Sequence, residues 1–198
     1  MNLLKLVRQG RAWCFGDQVD TDQVLPGRYM GLGDPARAAR HLMEGLDPEF
    51  GAQVRPGDII VAGRNFGLGS TRGQALLAMK AAGLGGIVAE SFSRIFFRGC
   101  ISEGIPVLEC PGIRGLVATG DEVKVDFGSG EVCNLSTGRS LRGRRLEGFM
   151  LERLAQGGSL AFLRSRGLVG GCEGGGDPRG GGGPRGDGAA PSAPRAER

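Results

Sequence analysis

A glycine-rich turn between an apolar strand and a helix constrains this chain more than any other feature of its sequence. The apolar run 59–62 (Ile-Ile-Val-Ala) leads into residues 65–72 (Asn-Phe-Gly-Leu-Gly-Ser-Thr-Arg), and a helix-forming run follows at 75–80. Such a turn leaves unpaired backbone N–H groups at the start of a helix, where the helix dipole also favours negative charge. Because two hydroxyl groups and a guanidinium group share the same place, we predict that the turn binds a small carboxylate or phosphate ligand.

Short strands alternate with helices through the first half of the chain. Apolar runs predict strands at 10–15, 59–62, 87–89 and 106–108, and helical spacing predicts helices at 36–44, 72–82 and 92–100. After the first strand, residues 20–26 are expected to form a polar loop that runs into a short apolar piece. This alternation predicts a parallel α/β core.

The second half of the chain has a different pattern. Residues 121–127 alternate between charged and apolar side chains, which is typical of a strand with one exposed face. A Gly-Ser-Gly turn at 128–130 leads into residues 131–135, so these segments predict a β-hairpin, and a last helix is predicted near 150–156. An α/β layer joined to an antiparallel β layer predicts a three-layer domain.

The C-terminal segment, residues 170–198, consists mainly of Gly, Pro, Ala, Arg and Asp and has almost no large apolar side chain. Such a segment buries too little apolar surface to offset the loss of chain entropy on folding. We therefore expect one folded domain at 1–169 and a disordered tail at 170–198.

Charge and hydrophobicity exclude several classes of protein. The formal net charge is only +4, and basic residues are interspersed with acidic ones, so no nucleic-acid surface is predicted. No apolar run approaches the roughly 20 residues that a membrane-spanning helix needs. The apolar start at 1–7 is too short for a secretory signal, so we expect a cytoplasmic protein with no membrane attachment.

The five cysteines are spread along the chain. No two of them are separated by two residues, so neither a structural zinc site nor a complete iron–sulfur motif is predicted, and we assign no metal ligand to this chain. We expect reduced and mostly buried thiols, with the cysteine of the tail exposed. The five are Cys14, Cys100, Cys110, Cys133 and Cys172.

The pair Gly67 and Gly69 also invites comparison with nucleotide-binding turns. The third glycine of a dinucleotide-binding turn should stand where this chain has Arg72, and the acid expected about 20 residues later would be Glu90, which follows a strand. No Gly-Lys-Ser or Gly-Lys-Thr follows, so a P-loop is excluded. A stand-alone oxidoreductase that uses a nucleotide is therefore disfavoured.

Ser70 and Thr71 both precede the predicted helix, and either could cap it. In a capping box, Glu or Gln stands three residues after the cap; this residue is Gln74 for Thr71 but Gly73 for Ser70. Thr71 is therefore the better cap, which leaves the Ser70 hydroxyl free, although a purely structural role for Ser70 remains the alternative. Arg72 stands in the first helical turn, where the positive end of the helix dipole disfavours a cation. This mismatch indicates that Arg72 has an anion as its partner.

Two further groups of polar residues leave alternatives open. Asp17, Asp20 and Asp22 have a spacing that suggests calcium, but the glycine and the distal glutamate of an EF-hand loop are missing. Two interpretations stay open: the three aspartates stabilise the turn, or Asp22 belongs to a ligand site. His41 is the only histidine, so no Ser–His relay is possible, and we expect a surface or hydrogen-bonded histidine.

Three ordered stretches of the sequence resemble one known family. They are residues 15–29 (Phe-Gly-Asp-Gln-Val-Asp-Thr-Asp-Gln-Val-Leu-Pro-Gly-Arg-Tyr), residues 57–72 with the glycine-rich turn, and residues 89–98 (Ala-Glu-Ser-Phe-Ser-Arg-Ile-Phe-Phe-Arg) with 104–108 (Gly-Ile-Pro-Val-Leu). Together they resemble the small subunit of the isopropylmalate isomerase (3-isopropylmalate dehydratase) and homoaconitase family, the separate swivel domain of the aconitase superfamily. The resemblance covers almost all of residues 1–169.

The resemblance implies a β/β/α swivel domain that closes over a large subunit carrying a [4Fe–4S] cluster, in a heterodimer or heterotetramer. This chain would then bind no cofactor itself. The family's reaction moves a hydroxyl group between adjacent carbons of a malate-type acid by dehydration and rehydration, which implies a small di- or tricarboxylic acid as substrate. The isopropylmalate type, which belongs to leucine biosynthesis, is the first expectation.

The resemblance also implies roles for residues of the glycine-rich turn. By motif position, Ser70 would remove the carbon-bound proton and Arg72 would bind a substrate carboxylate. A serine is a feeble base in water, and it needs dipoles and cations in a closed, dry site to stabilise the alkoxide. The other residues of the same pocket would be Thr21, Asp22, Gly69 and Thr71, where Thr71 stands in place of the second serine usual in the family.

Two departures from the family pattern concern the substrate. The loop that discriminates substrates in the family corresponds to Met30, Gly31, Leu32 and Gly33, and it lacks the common arginine. The acid common after the Ser-Ser-Arg motif is replaced by Gly73. The alternatives are a homoaconitate-type or 2,3-dimethylmalate-type dehydratase, or a catalytically degenerate swivel domain that acts as a binding partner. Arg28 and Arg64 are candidates for the missing cation.

Overall fold

The computed structural model describes residues 6–69 and 73–169, which build one seven-stranded mixed sheet with helices packed on it. The strands are β1 (Val7–Cys14), β2 (Ile59–Ala62), β3 (Gly86–Ala89), β4 (Val107–Glu109), β5 (Glu122–Asp126), β6 (Glu131–Asn134) and β7 (Ser140–Arg142). The helices are α1 (Thr21–Val24), α2 (Pro35–Ala39), α3 (Phe50–Gln53), α4 (Gly73–Ala81), α5 (Arg94–Glu103), α6 (Gly148–Ala155) and α7 (Ser159–Ser165). Strand order across the sheet is β4-β3-β2-β1-β5-β6-β7.

Strands β1 to β4 form the parallel half of the sheet. Every residue of β2 and of β3 is buried, as expected of parallel strands that are covered on both faces. The chain steps from β1 to β4 in one direction, so right-handed crossovers place the connecting helices on the same face. In agreement with this, α4 packs against both α2 and α5.

Strand β1 belongs to both halves of the sheet. Its residues Ala12 to Cys14 pair in parallel with β2, whereas Val7 to Arg11 pair with β5 in the antiparallel sense. Strands β5, β6 and β7 continue as an antiparallel meander. In β5, Val123 and Val125 are buried whereas Glu122 and Lys124 are exposed, because only one face of this half contacts the core.

The sheet curls until its two edge strands approach each other. Just after β7, the backbone N–H of Arg144 donates to the carbonyl oxygen of Glu109 in β4 at 2.6 Å. A Cβ atom built on Gly143 would lie 2.5 Å from the same carbonyl oxygen, so the approach requires a glycine. The large buried side chain Phe127 lies inside the curl, where its ring is close enough to Gly86 to exclude a side chain there.

The fold class predicted from the sequence is confirmed: the protein is a mixed α/β domain. The predicted strands and the hairpin are all present, with small shifts at their ends. The prediction for the tail at 170–198 concerns residues outside the described part of the chain. Within the described ranges, no helix has both the length and the apolar character needed to cross a membrane.

Two local predictions were wrong, and two elements were not predicted. Residues 20–26 do not form a simple loop, because Asp20 caps the short helix α1 and Gln23 completes a capping box. The helix predicted at 36–44 ends at Ala39, and the chain continues in turns that include Met43 at a φ of 58°. Strand β7 and helix α7 were not predicted, because β7 has only three residues and α7 has no buried residue.

Candidate functional site

Three loops meet at the carboxyl edge of the parallel strands. They follow β1, β2 and β3 and comprise residues 15–20, 63–69 and 90–93. Since the carboxyl ends of parallel strands lie at one edge, the loops that follow them line a common crevice, which is the usual place for ligands in open α/β sheets. The three sequence stretches that carry the family resemblance therefore converge at this edge.

The loop after β1 is bonded to the glycine-rich turn through the backbone. The N–H groups of Gly67 and Leu68 donate to the carbonyl oxygen of Val19 at 2.8 and 3.1 Å, and the N–H of Thr21 donates to the carbonyl oxygen of Leu68 at 2.8 Å. Helix α1 therefore begins beside Leu68. Thr21 is buried and Asp22 is exposed.

Asp20 links α1 to the end of the described turn. Its Oδ1 accepts a hydrogen bond from the N–H of Asp22 at 2.7 Å, and its own N–H donates to Oε1 of Gln23 at 2.9 Å. A Cβ atom on Gly69 would lie 2.6 Å from Oδ2 of Asp20, and Gly69 has a φ of 83°. The left-handed φ favours glycine at 69, and a side chain there would also require the Asp20 carboxylate to shift.

The loop after β3 holds the other side of the turn. The N–H of Asn65 donates to Oγ of Ser91 at 2.9 Å, and the N–H of Phe66 donates to the carbonyl oxygen of Ser91 at 3.0 Å. Oγ of Ser93 donates to the carbonyl oxygen of Gly67 at 2.5 Å. Neither serine was predicted as a site residue from the sequence, although Ser93 precedes a helical run and its side chain caps α5.

The glycine-rich turn packs against aromatic side chains of the core. The Phe66 ring is fully buried and packs edge-on against the rings of Phe92 and Phe96, with centroid separations of 6.2 and 5.4 Å. Gly67 has a φ of 79°, and a Cβ atom there would collide with the Phe96 ring. The turn is thus packed against the core at Phe66 and Gly67, whereas Gly69, where the described segment ends, is exposed.

Two non-glycine residues of these loops have left-handed backbone conformations. Gln18 and Asn65 each have a φ of 57°, and the N–H of Gln18 donates to the carbonyl oxygen of Arg64 at 2.7 Å. Asparagine tolerates this region better than most residues do, whereas glutamine is less common there. Such conformations cluster at functional sites because the surrounding structure must hold them.

The catalytic candidate Ser70 and its neighbours Thr71 and Arg72 lie outside the described residues, so their assigned roles remain proposals. Gly73, directly after them, is exposed and begins α4. Among the described residues, a Cβ atom on Gly73 would have no neighbour within 4 Å, so they leave space for the acidic side chain that the family commonly has there.

The predicted specificity loop lies on the surface. Gly31 and Gly33 are exposed, and a Cβ atom on either would meet nothing within 4 Å. Leu32 is half-buried and packs against the core. Met30 ends the short 3₁₀ turn Gly27–Tyr29. The loop is thus small and largely apolar, and no cationic side chain belongs to it.

Arg28 is already engaged with neighbouring side chains. Its guanidinium pairs with Glu44 and lies 4.8 Å from the centre of the Tyr29 ring. The Tyr29 hydroxyl donates to Glu44 at 3.2 Å, and this hydrogen bond lowers the pKa of the Glu44 carboxyl. His41 stacks on Tyr29 at 3.7 Å and its Nδ1 lies 3.0 Å from Glu44, so the prediction of a hydrogen-bonded histidine is confirmed.

Arg64 stands between two carboxylates. Its Nε lies 3.7 Å from Oδ2 of Asp17 and 4.0 Å from Oε2 of Glu90. Oδ1 of Asp17 also accepts a hydrogen bond from the Arg64 N–H at 2.9 Å, so Asp17 stabilises the turn. Neither Arg28 nor Arg64 is an unpaired cation.

The described cysteines do not form a cluster. Cys100 and Cys110 are buried, Cys14 and Cys133 are half-buried, and all four are free thiols. Burial, with a smaller effect of the Glu90 charge, raises the pKa of the Cys110 thiol to about 11. Across residues 6–69 and 73–169, no group of three His, Cys, Asp or Glu side chains could hold a metal ion. A groove of about 350 Å³ lies elsewhere, between α5 and α6.

Comparisons with known proteins identify the family. Residues 35–111 match the family described as the aconitase C-terminal domain. The chain is 47% identical over 161 residues to the 3-isopropylmalate dehydratase small subunit 1 of Methanopyrus kandleri, covering 81% of this chain and 95% of the relative. It is 46% identical to the isopropylmalate/citramalate isomerase small subunit of Methanocaldococcus jannaschii, covering 82% and 97% of the two chains.

A solved structure agrees with these sequence relatives. The crystal structure of 3-isopropylmalate dehydratase from Methanocaldococcus jannaschii is similar with a TM-score of 0.77 at 38% sequence identity. The similarity covers 82% of this chain and 96% of that one. The chain therefore belongs to the family of 3-isopropylmalate dehydratase small subunits.

Proposed function

We propose that this chain is the small subunit of a two-subunit hydro-lyase that isomerises 3-isopropylmalate by dehydration and rehydration. The observation that carries the proposal is its 47% identity to a 3-isopropylmalate dehydratase small subunit over 95% of that protein's length. The assembly is a heterodimer or heterotetramer with a large subunit. Four free thiols in the described ranges suit a reducing compartment, which supports a place in the cytoplasm.

The division of labour between the subunits follows from the side chains present. The four described thiols lie apart, so these residues do not fit an iron–sulfur cluster, and we assign the cluster to the large subunit. This chain's part is to bind the acid and to remove the proton from carbon. By its motif position Ser70 is the base, and Arg72 binds a substrate carboxylate in the planar bidentate geometry of a guanidinium group.

The physical conditions for a serine base support this assignment. Removal of a proton from carbon by a serine requires N–H dipoles and a cation that stabilise the alkoxide, and exclusion of water strengthens these interactions. Ser70 stands in the sequence between Gly69, at the carboxyl edge of the sheet, and Gly73, where α4 begins. The positive end of the α4 dipole is therefore available on this side. Thr21, Asp22 and Gly69 complete the pocket on the α1 side.

The cationic side chains near the predicted specificity loop bear on the substrate class. The loop Met30–Gly33 carries no positive charge, and Arg28 and Arg64 are both paired with carboxylates. The loop itself therefore offers no guanidinium group that could bind an additional carboxylate. The small apolar loop favours a malate with an alkyl substituent over a tricarboxylate of the homoaconitate type.

The test is a substrate panel with the assembled enzyme. The chain is co-expressed with a cluster-binding large subunit, and turnover is measured with 3-isopropylmalate, 2,3-dimethylmalate, citramalate and homoaconitate. We expect the highest kcat/KM with 3-isopropylmalate. A preference for homoaconitate would overturn the substrate assignment, and a preference for 2,3-dimethylmalate would select the other alternative.

A binding role without catalysis is the second candidate function. It is favoured by Gly73, which stands where the family commonly has an acid, and by the two exposed glycines of the loop, Gly31 and Gly33. In that case the chain would assemble with the large subunit, but the complex would turn over none of the four acids. Co-purification without activity would support this alternative.

A further inference from the structure

We infer that Asp20 is a positioning residue, whose carboxylate fixes the Thr21–Asp22 start of α1 against the Gly69 turn. The inference rests on the proposed function for its effect on turnover. Its structural part, which concerns only described residues, is testable without activity. Nothing in the sequence motif alone separates Asp20 from the two other aspartates near it, Asp17 and Asp22.

The backbone on both sides of Asp20 is bonded to the turn. Asp20 forms a parallel β-bridge with Leu68, and the next residue, Thr21, donates its N–H to the Leu68 carbonyl oxygen at 2.8 Å. Just before Asp20, Val19 accepts hydrogen bonds from the N–H groups of Gly67 and Leu68. Asp20 is thus the point where the loop after β1 leaves the turn and becomes a helix.

The two carboxylate oxygens of Asp20 face different partners. Oδ1 accepts from the N–H of Asp22 at 2.7 Å, which fixes the first turn of α1. Oδ2 faces Gly69, because a Cβ atom there would lie 2.6 Å from it. One half-buried side chain therefore lies between Asp22 and Gly69, two residues that we assign to the substrate pocket.

The other aspartate that caps a described helix provides a matched control. Asp34 caps α2 through a hydrogen bond from the N–H of Ala36 to its Oδ1 at 2.9 Å. It is exposed and belongs to a different helix from the one that carries Thr21 and Asp22. Loss of either cap is expected to weaken its helix by a similar amount, so any effect specific to Asp20 reflects its second contact.

The structural part is tested by hydrogen exchange on the isolated chain. In Asp20→Ala we expect about fivefold faster exchange of the Thr21, Asp22 and Leu68 amides than in the wild type, and in Asp34→Ala no change at these three amides. Asparagine caps a helix as well as aspartate does, so Asp20→Asn should restore slow exchange. Unchanged exchange in Asp20→Ala would overturn the inference whatever the enzyme's activity.

The functional part is tested in the assembled two-subunit enzyme. We expect Asp20→Ala to lower kcat by roughly 10²-fold, the cost of a misplacement of about 1 Å, and to change KM less. Asp34→Ala should leave kcat within about twofold, and Asp20→Asn should recover most of the lost kcat because the geometry is kept. If Asp20→Asn is as inactive as Asp20→Ala, the charge itself is needed and the positioning role is wrong.

A double-mutant cycle tests the contact with Gly69. Gly69→Ala places a methyl group against Oδ2 of Asp20, so its effect on kcat should shrink by about threefold or more in the Asp20→Ala background. Additive losses would contradict the close contact. A wild-type complex that turns over no malate would refute the proposed function, but hydrogen exchange would still decide the structural part.

Discussion

The backbone N–H of Arg144 donates a hydrogen bond to the carbonyl oxygen of Glu109 at 2.6 Å and joins the two edges of the sheet. The same two residues pair through their side chains, with Nη1 of Arg144 3.0 Å from Oε2 of Glu109. The Arg144 side chain is 79% exposed, so the ion pair contributes little and the backbone contact matters more. The joined edges protect strands that would otherwise offer unpaired N–H and C=O groups.

Gly143→Ala is therefore expected to destabilise the protein. A methyl group at 143 would meet the Glu109 carbonyl oxygen at 2.5 Å, and we expect a loss of about 1–3 kcal/mol in the free energy of unfolding. Gly115→Ala is the control, because a Cβ atom there has no neighbour within 4 Å and should change stability by less than about 0.5 kcal/mol. Urea unfolding followed by circular dichroism measures both, and equal stabilities would contradict the closed edge.

Asp58 is expected to be important for stability and not for turnover. Its buried Oδ2 accepts from Nε1 of Trp13 at 2.9 Å and from the N–H of Arg55 at 3.0 Å. Asp58→Ala leaves both donors without a partner and should cost about 1–3 kcal/mol, whereas Asp58→Asn keeps an acceptor and should cost less. Thermal unfolding of the two variants checks the order. A smaller loss in Asp58→Ala than in Asp58→Asn would be inconsistent with this network.

Gly73→Glu restores the acid that the family commonly has after the motif. Residue 73 begins α4 and has free space around its Cβ position, so we expect a gain of about 0.3–1 kcal/mol from the helix dipole. Gly73→Lys has a side chain of similar length and the opposite charge, and it should be less stable than Gly73→Glu. The difference is measured at low salt, where the dipole effect is largest. Equal stabilities at low salt would speak against this effect.

The folded protein is expected to lose stability at alkaline pH because of the buried thiol of Cys110. Burial raises the pKa of its thiol from the ordinary value of 9.0 to about 11, so between these pH values the folded state holds a proton that the unfolded state has released. The contribution is present below pH 9 and is lost as the pH rises towards 11. The free energy of unfolding of the wild type should therefore fall more steeply across this range than that of Cys110→Ala. Parallel curves for the two proteins would contradict the prediction.

Much of the parallel core was predictable because each of its strands is marked by a short stretch of the sequence itself. Residues 59–62 and 86–89 are continuous apolar runs between turn residues, and this pattern is sufficient to predict a buried strand. The start of α1 was predictable in principle, because Asp20 and Gln23 have the spacing of a capping box, but the polar composition around them suggested a loop.

The features that were not predicted depend on contacts between residues that are far apart in the sequence. Strand β7 has only three residues, and its pairing with β6 and the contact of Arg144 with Glu109 define it more than its own sequence does. The approach of Ser91 and Ser93 to the glycine-rich turn likewise arises from the parallel pairing of β2 with β3. The order of strands at the carboxyl edge explains why Thr21 and Leu68 meet, although they are far apart in the chain.

The most direct measurement is the turnover of 3-isopropylmalate by the assembled two-subunit enzyme with Ser70 and with Ser70→Ala. Thr71→Ala, at the neighbouring hydroxyl, is the matched control. We predict that loss of the base lowers kcat by roughly 10²–10⁴-fold in Ser70→Ala and by much less in Thr71→Ala, while both variants still bind the large subunit. A Ser70→Ala complex that turns over 3-isopropylmalate as fast as the wild type would contradict the account.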